Sequence, residues 1–119
     1  MKTQNVIVDK SKAFALRIIK LNKYLCETKR EYILSKQLVK SGTSIGANVK
    51  EAIRGQSTAD FAAKMNIALK EASETEYWLE LLHESDYLTD DQFDSIIADC
   101  IELLKILTSI LNAVHNKDG

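Results

Sequence analysis

Proline is absent from this 119-residue chain, and glycine occurs only four times. No proline ring is there to kink or stop a helix. Three of the glycines fall at positions 42, 46 and 55, so the rest of the chain reads as long helices with short connections. Cysteine is also scarce. Cys26 and Cys100 stand alone in helical patterns, which excludes a disulfide framework and reads as two small buried hydrophobes. No apolar run reaches membrane-spanning length, and Met1 to Val8 is too short an apolar stretch for a signal peptide. A cytoplasmic location is the expectation. The length suits one domain with a real core, 1–119, with 1–8 as a candidate N-terminal arm.

What is present is charge, and it is divided. The net charge of −1 conceals 12 Lys and Arg against 4 Asp and Glu in residues 1–59, net +8. Residues 60–119 carry 4 against 13, net −9. Such a split points to a charged partner or to self-complementary faces.

Hydrophobic spacing gives four helices. The first starts near Asp9 or Ser11 and ends near Glu27, with Phe14, Ile18, Leu21 and Leu25 as its core stripe. Thr28 and Glu31 are spaced as a capping box for a second helix from about Lys29 to Ile53, closed by Gly55 in a left-handed cap. Ser57 caps a third, roughly Thr58 to Glu84, and Phe61, Met65, Ala68, Ala72, Thr75, Leu79 and Leu82 step by 4 and 3 along it. Thr89 and Gln92 form another box ahead of the fourth, whose stripe runs from Phe93 to Val114. Short turns and heptad-like seams predict an antiparallel up-and-down four-helix bundle. Ile96, Leu103 and Ile110 repeat every seven residues beside the main stripe of helix four. That extra apolar width predicts an oligomer interface at these three residues.

The chain is organised around Ser41-Gly42-Thr43-Ser44-Ile45-Gly46-Ala47-Asn48-Val49-Lys50-Glu51, a small, polar, glycine-bearing stretch inside helix two. Interior glycines cost about 1 kcal/mol each against alanine, so Gly42 and Gly46 read as close-packing positions. No G-x-G-x-x-G and no G-K-[ST] supports a phosphate loop here. If helices two and three fold back about residue 56, Glu76 lies opposite Gln37, and Ala68 and Ala72 lie opposite the Ser41–Ile45 stretch. Gln37, Ser44, Asn48, Glu51, Ser73 and Glu76 are then a structural polar motif between the helices, paired because an unpaired buried amide or carboxylate costs about 1–3 kcal/mol. Ligand binding is the alternative for that set. Arg17, Lys20, Lys23, Lys36 and Lys40 are candidate nucleic-acid contacts on a basic face of helices one and two.

The search for chemistry ends empty. His83 and His115 lie on separate helices, no H-E-x-x-H occurs, and Glu80-x-x-His83 appears once where a di-iron bundle needs it twice. No catalytic residue, cofactor, metal ligand or small-molecule substrate is expected.

The run Ser35 to Ala52, with Ser57-Thr58-Ala59-Asp60-Phe61, Ile67 to Ala72 and Glu76-Tyr77-Trp78-Leu79, resembles the 23S rRNA intervening-sequence protein family over about residues 9–115. The resemblance implies a small bacterial four-helix bundle protein, without enzymatic activity, that assembles as a ring-like homopentamer. Basic relatives that accompany diversity-generating retroelements bind nucleic acid and reverse transcriptase, whereas this chain is near neutral. The expected function is a non-enzymatic oligomeric binding or scaffold protein, with RNA or DNA binding through the basic face as the alternative.

Overall fold

The computed structural model describes residues 2–118, with side chains for 5–116. Four α-helices make up those residues: α1 Lys2–Glu27, α2 Leu34–Ile53, α3 Thr58–Glu84 and α4 Asp90–Asp118. No strand occurs among them. Helix α1 packs on α2 and α4, and α3 packs on the same two, so the helices stand in a square with α1 and α3 at opposite corners. The bundle measures 47 × 21 × 20 Å, about the length of a 29-residue helix at 1.5 Å per residue.

Helix α1 begins at Lys2, seven or more residues before the predicted start. Of the candidate arm, residues 2–8 are therefore helix, and Ile7 is fully buried. Residue 1 and the side chains of 2–4 lie outside the described residues. Ile7 extends the stripe of Phe14 and Ile18 backwards by one heptad, and that burial holds the extra turns in place.

The start of α2 differs from the predicted capping box. Arg30 takes a left-handed conformation, φ 55°, and the Glu31 amide closes the turn onto the Leu25 carbonyl at 2.9 Å. Glu31 then works forward. Its carboxylate accepts from the amides of Ile33 (3.1 Å), Leu34 (3.0 Å) and Ser35 (2.7 Å), three donors that a helix start leaves unpaired. The Ser35 hydroxyl donates back to the Glu31 carbonyl at 2.7 Å. Thr28 has no part in it, because the chain is still turning out of α1 at that residue.

The other two starts match the local spacing. Ser57 Oγ accepts the Asp60 amide at 3.0 Å, and Thr89 and Gln92 exchange both bonds of a capping box, 2.9 and 3.1 Å. Gly55 is not a left-handed cap, since no described glycine has positive φ. A Cβ there would sit 3.0 Å from the Ala52 carbonyl oxygen and 3.2 Å from Asp60 Cβ, so this glycine provides room for a tight turn. Helix α3 ends on a left-handed residue, Asp86, φ 67°, with Tyr87 donating to the Leu82 carbonyl and Asp86 to that of His83.

Helix α4 corrects a larger expectation. Ile96, Leu103 and Ile110 are 4%, 1% and 7% exposed within the single chain, so they are core residues and form no outer band. A helix at the corner of a bundle has two neighbours, and burying it against both takes a wider stripe than one seam. Cys100 marks the side toward α3, where its thiol reaches the Ala72 carbonyl at 3.4 Å. Asp99 and Glu102 mark the side toward α1, paired with Arg17 and Lys10.

Candidate functional site

Helix α2 runs unbroken through both glycines, and its small residues divide between two neighbours. Gly42 and Gly46 face α1. A Cβ on Gly42 would lie 2.8 Å from Ile18 Cγ2, and one on Gly46 would lie 3.3 Å from Ser11 Oγ. Ser41 faces α3, where its hydroxyl and that of Thr75, both fully buried, lie 2.9 Å apart. Ala68 and Ala72 were expected opposite this stretch. Thr75 takes the place opposite Ser41, which puts the fold-back point near Thr58 rather than at residue 56 and displaces the register by about one turn.

That displacement separates the predicted polar motif. Ser44 Oγ donates to the Lys40 carbonyl at 2.6 Å, and Asn48 Nδ2 donates to the Ser44 carbonyl at 2.8 Å, both within α2. Gln37 is exposed, and Glu51, also exposed, pairs with Lys64 at 3.1 Å. On α3, Ser73 is exposed and Glu76 lies in the groove against α4, beside Ile101 and Leu104. The six residues form no common network. Ser41–Thr75 is instead the buried polar contact between α2 and α3.

The basic candidates also separate. Arg17 lies in the α1–α4 seam, with its guanidinium on Asp99 Oδ2 at 2.6 Å and on Ser95 Oγ at 2.8 Å and carbonyl oxygen at 3.2 Å. Lys20, Lys23 and Lys36 are exposed and make no ion pair among the described residues. Lys40 is exposed near Glu71, whose carboxyl is pushed up by burial and by Glu74 and held down in part by Lys40. Between these lysines stand two side chains absent from the expected sites, Leu16 and Ile19, 57% and 38% exposed. Their signal was available: both fall off the Phe14–Ile18–Leu25 stripe yet are large and apolar.

Among the described residues no three or more His, Cys, Asp or Glu side chains gather where a metal could be held. His83 joins the ends of α3 and α4, with Nε2 2.7 Å from Asp90 Oδ1 and its ring stacked on Phe93 at 4.2 Å. Cys26 and Cys100 are both free thiols. Burial, then Glu76 and Glu80, push the Cys100 thiol up to about 12, so it stays protonated and unreactive at neutral pH. A disulfide-exchange reagent at pH 8 is expected to titrate only Cys26 in the native protein and both thiols in denaturant. Rapid native labelling of Cys100 would contradict its burial. The sign follows for stability: above pH 9 the unfolded chain releases this proton and the folded chain keeps it, so stability falls from pH 9 toward 12.

The distinctive residues of this all-helical chain lie at helix–helix contacts and on outer faces, and comparisons with known proteins define its family. The family model for the 23S rRNA-intervening sequence protein matches residues 3–109, and the chain belongs to that family. A crystal structure of a protein of unknown function from the S23 ribosomal protein family of Bacteroides thetaiotaomicron is similar at 54% identity, TM-score 0.91. The match covers 92% of this chain and 98% of that one. A comparison with curated proteins gives no match. No described helix is long and apolar enough to cross a membrane.

Proposed function

We propose that this chain is an antiparallel up-and-down bundle that works in the cytoplasm as a non-enzymatic, oligomeric binding or scaffold protein. Contact pairs that run in opposite senses along neighbouring helices support the topology: Ser11 meets Gly46 while Asn22 meets Ser35, and Ser41 meets Thr75 while Glu51 meets Lys64. One observation carries the oligomer. Leu16, Tyr77 and Ile101 stay exposed after the core is complete, on helices whose charge is segregated by sign. Large apolar side chains left exposed on charged helices fit a protein contact better than solvent. Light scattering coupled to size exclusion is expected to give a single species at a multiple of the 13.4 kDa chain mass. A monodisperse monomer would overturn the reading.

The exposed lysines Lys20, Lys23 and Lys36 favour a second reading, in which this face binds RNA or DNA phosphates. Affinity would then fall by about 0.9 log unit per log unit of salt for each B-DNA phosphate contact, and Lys20→Glu with Lys36→Glu would abolish it. Absence of binding to duplex and single-stranded RNA and DNA at low salt would remove this reading and leave the first intact.

A further inference from the structure

Ile33 is 77% exposed, more than any other large apolar side chain among the described residues, and Tyr32 beside it is 57% exposed. Both stand in the α1–α2 connection, and their backbone is firmly held. The left-handed Arg30 turns the chain out of α1, and the Glu31 carboxylate accepts the next helix's first amides, that of Ile33 among them. Asn22 Nδ2 donates to the Ser35 carbonyl at 3.0 Å, which ties the last turns of α1 to the first turn of α2. An apolar pair already ordered in water loses little further entropy when it meets a partner.

Cations surround the pair. Lys23, Lys29, Arg30 and Lys36 are exposed and make no ion pair among the described residues, and Lys20 stands a turn further back on α1. Two acids share the segment. Glu31 is buried with its carboxylate committed to three amides, so Glu27 is the one that faces water. The contacts of Lys10 with Glu102 and Arg17 with Ser95 put the start of α4 at this same end of the bundle. The exposed Glu84, Asp86, Asp90 and Asp91 of the α3–α4 connection therefore lie at the edge across from Tyr32. The cross-section is 21 × 20 Å, whereas at physiological salt a charge is felt over about 8 Å. The basic edge and the acidic edge act separately.

We propose that the α1–α2 tip is a docking surface for an anionic lipid bilayer. The negative surface draws the lysines and Arg30, and Tyr32 and Ile33 enter the headgroup layer between them. Tyrosine suits that depth because its ring is apolar while its hydroxyl reaches water. Ile33 decides between two anionic partners. A nucleic acid uses the cations and stacks a base on Tyr32, but it leaves the aliphatic side chain in water; a bilayer takes up both. Charge division sets the pose. Helices α1 and α2 carry nine Lys and Arg against three Asp and Glu, and α3 and α4 carry four against twelve. The chain therefore rests on its α1–α2 edge with the acidic helices outward. Two apolar side chains and a few cations give reversible attachment. This surface is an end of the bundle, so the proposal is independent of the oligomer reading.

The test is co-sedimentation of the full chain with vesicles of phosphatidylcholine, with and without phosphatidylglycerol. The native chain is expected to sediment with the phosphatidylglycerol vesicles alone, less so as salt rises. Ile33→Ser should weaken that binding about tenfold, the loss of one buried aliphatic side chain. Lys29→Glu with Lys36→Glu should abolish it. All three positions are exposed, and far-UV circular dichroism checks that each variant stays helical. Glycerol phosphate, which offers the headgroup charge without a bilayer, should not displace the protein. No sedimentation at low salt would overturn the proposal. So would binding that Ile33→Ser leaves unchanged, since charge alone would then account for it, or binding that glycerol phosphate displaces. Single-stranded RNA bound through Tyr32 and Ile33, with vesicles left unbound, would assign the tip to RNA and overturn it as well.

Discussion

Leu103→Glu is expected to unfold this chain. Leu103 is 1% exposed on the inner side of α4, between Ile96 and Ile110 one heptad away in each direction. A carboxylate there would have to lose its water or stay protonated, and no cationic side chain pairs with it inside the core. Substitutions that bury an unpaired charge are among the few that cost more than about 4–5 kcal/mol. Domains of this size have about 5–15 kcal/mol in total. The cooperative thermal transition should disappear or fall by tens of degrees, with helical ellipticity lost at 37 °C. Ile101→Glu, two residues away but exposed, should leave the fold of the single chain intact, with helical ellipticity retained at 37 °C. A Leu103→Glu protein that remains folded as free subunits would place Leu103 at an oligomer surface and contradict its burial.

The contrast between those two residues shows where sequence reading succeeds and where it stops. Apolar period reports which face of α4 avoids water, and it found the stripe through Cys100, Leu107 and Leu111 as well as the extra row Ile96, Leu103, Ile110. Period does not report what covers a face. A second helix of the same chain and a second subunit demand the same pattern, and here α1 is the cover. Helix starts set by contacts three residues apart were legible, as at Ser57 and at Thr89 with Gln92. Glu31 was not. Its role depends on the left-handed turn at Arg30, which releases the chain from α1 before α2 begins. The polar set of Gln37, Ser44, Asn48, Glu51, Ser73 and Glu76 failed for a third reason. A pivot misplaced by a residue or two shifts the pairing of two helices by a whole turn, enough to put Thr75 where Ala72 was expected opposite Ser41.

The two glycines of α2 should respond to alanine with opposite signs, although they are four residues apart on one helix. In both cases the substitution gains about 1 kcal/mol of helix propensity, since alanine restricts the unfolded chain more. What differs is the neighbour. At position 42 the new methyl would meet Ile18 Cγ2 at 2.8 Å and Cγ1 at 2.9 Å, well inside the 3.5–4.0 Å at which carbon atoms attract. Ile18 is fully buried and β-branched, so its χ1 is stiff and the core leaves it no second position. Helix α1 itself must move outward, and overpacking of that kind costs about 1–3 kcal/mol. Position 46 meets a hydroxyl oxygen at 3.3 Å and main-chain atoms of Ser11 at 3.5 and 3.6 Å, a gap that a few tenths of an ångström relieves. Gly42→Ala is therefore expected to lower the melting temperature by several degrees, while Gly46→Ala leaves it unchanged or raises it. Denaturant midpoints measured on both variants at equal protein concentration separate the outcomes. If Gly42→Ala is as stable as the parent, the α1–α2 contact is looser than 2.8 Å implies, and close packing is not what keeps glycine at that position.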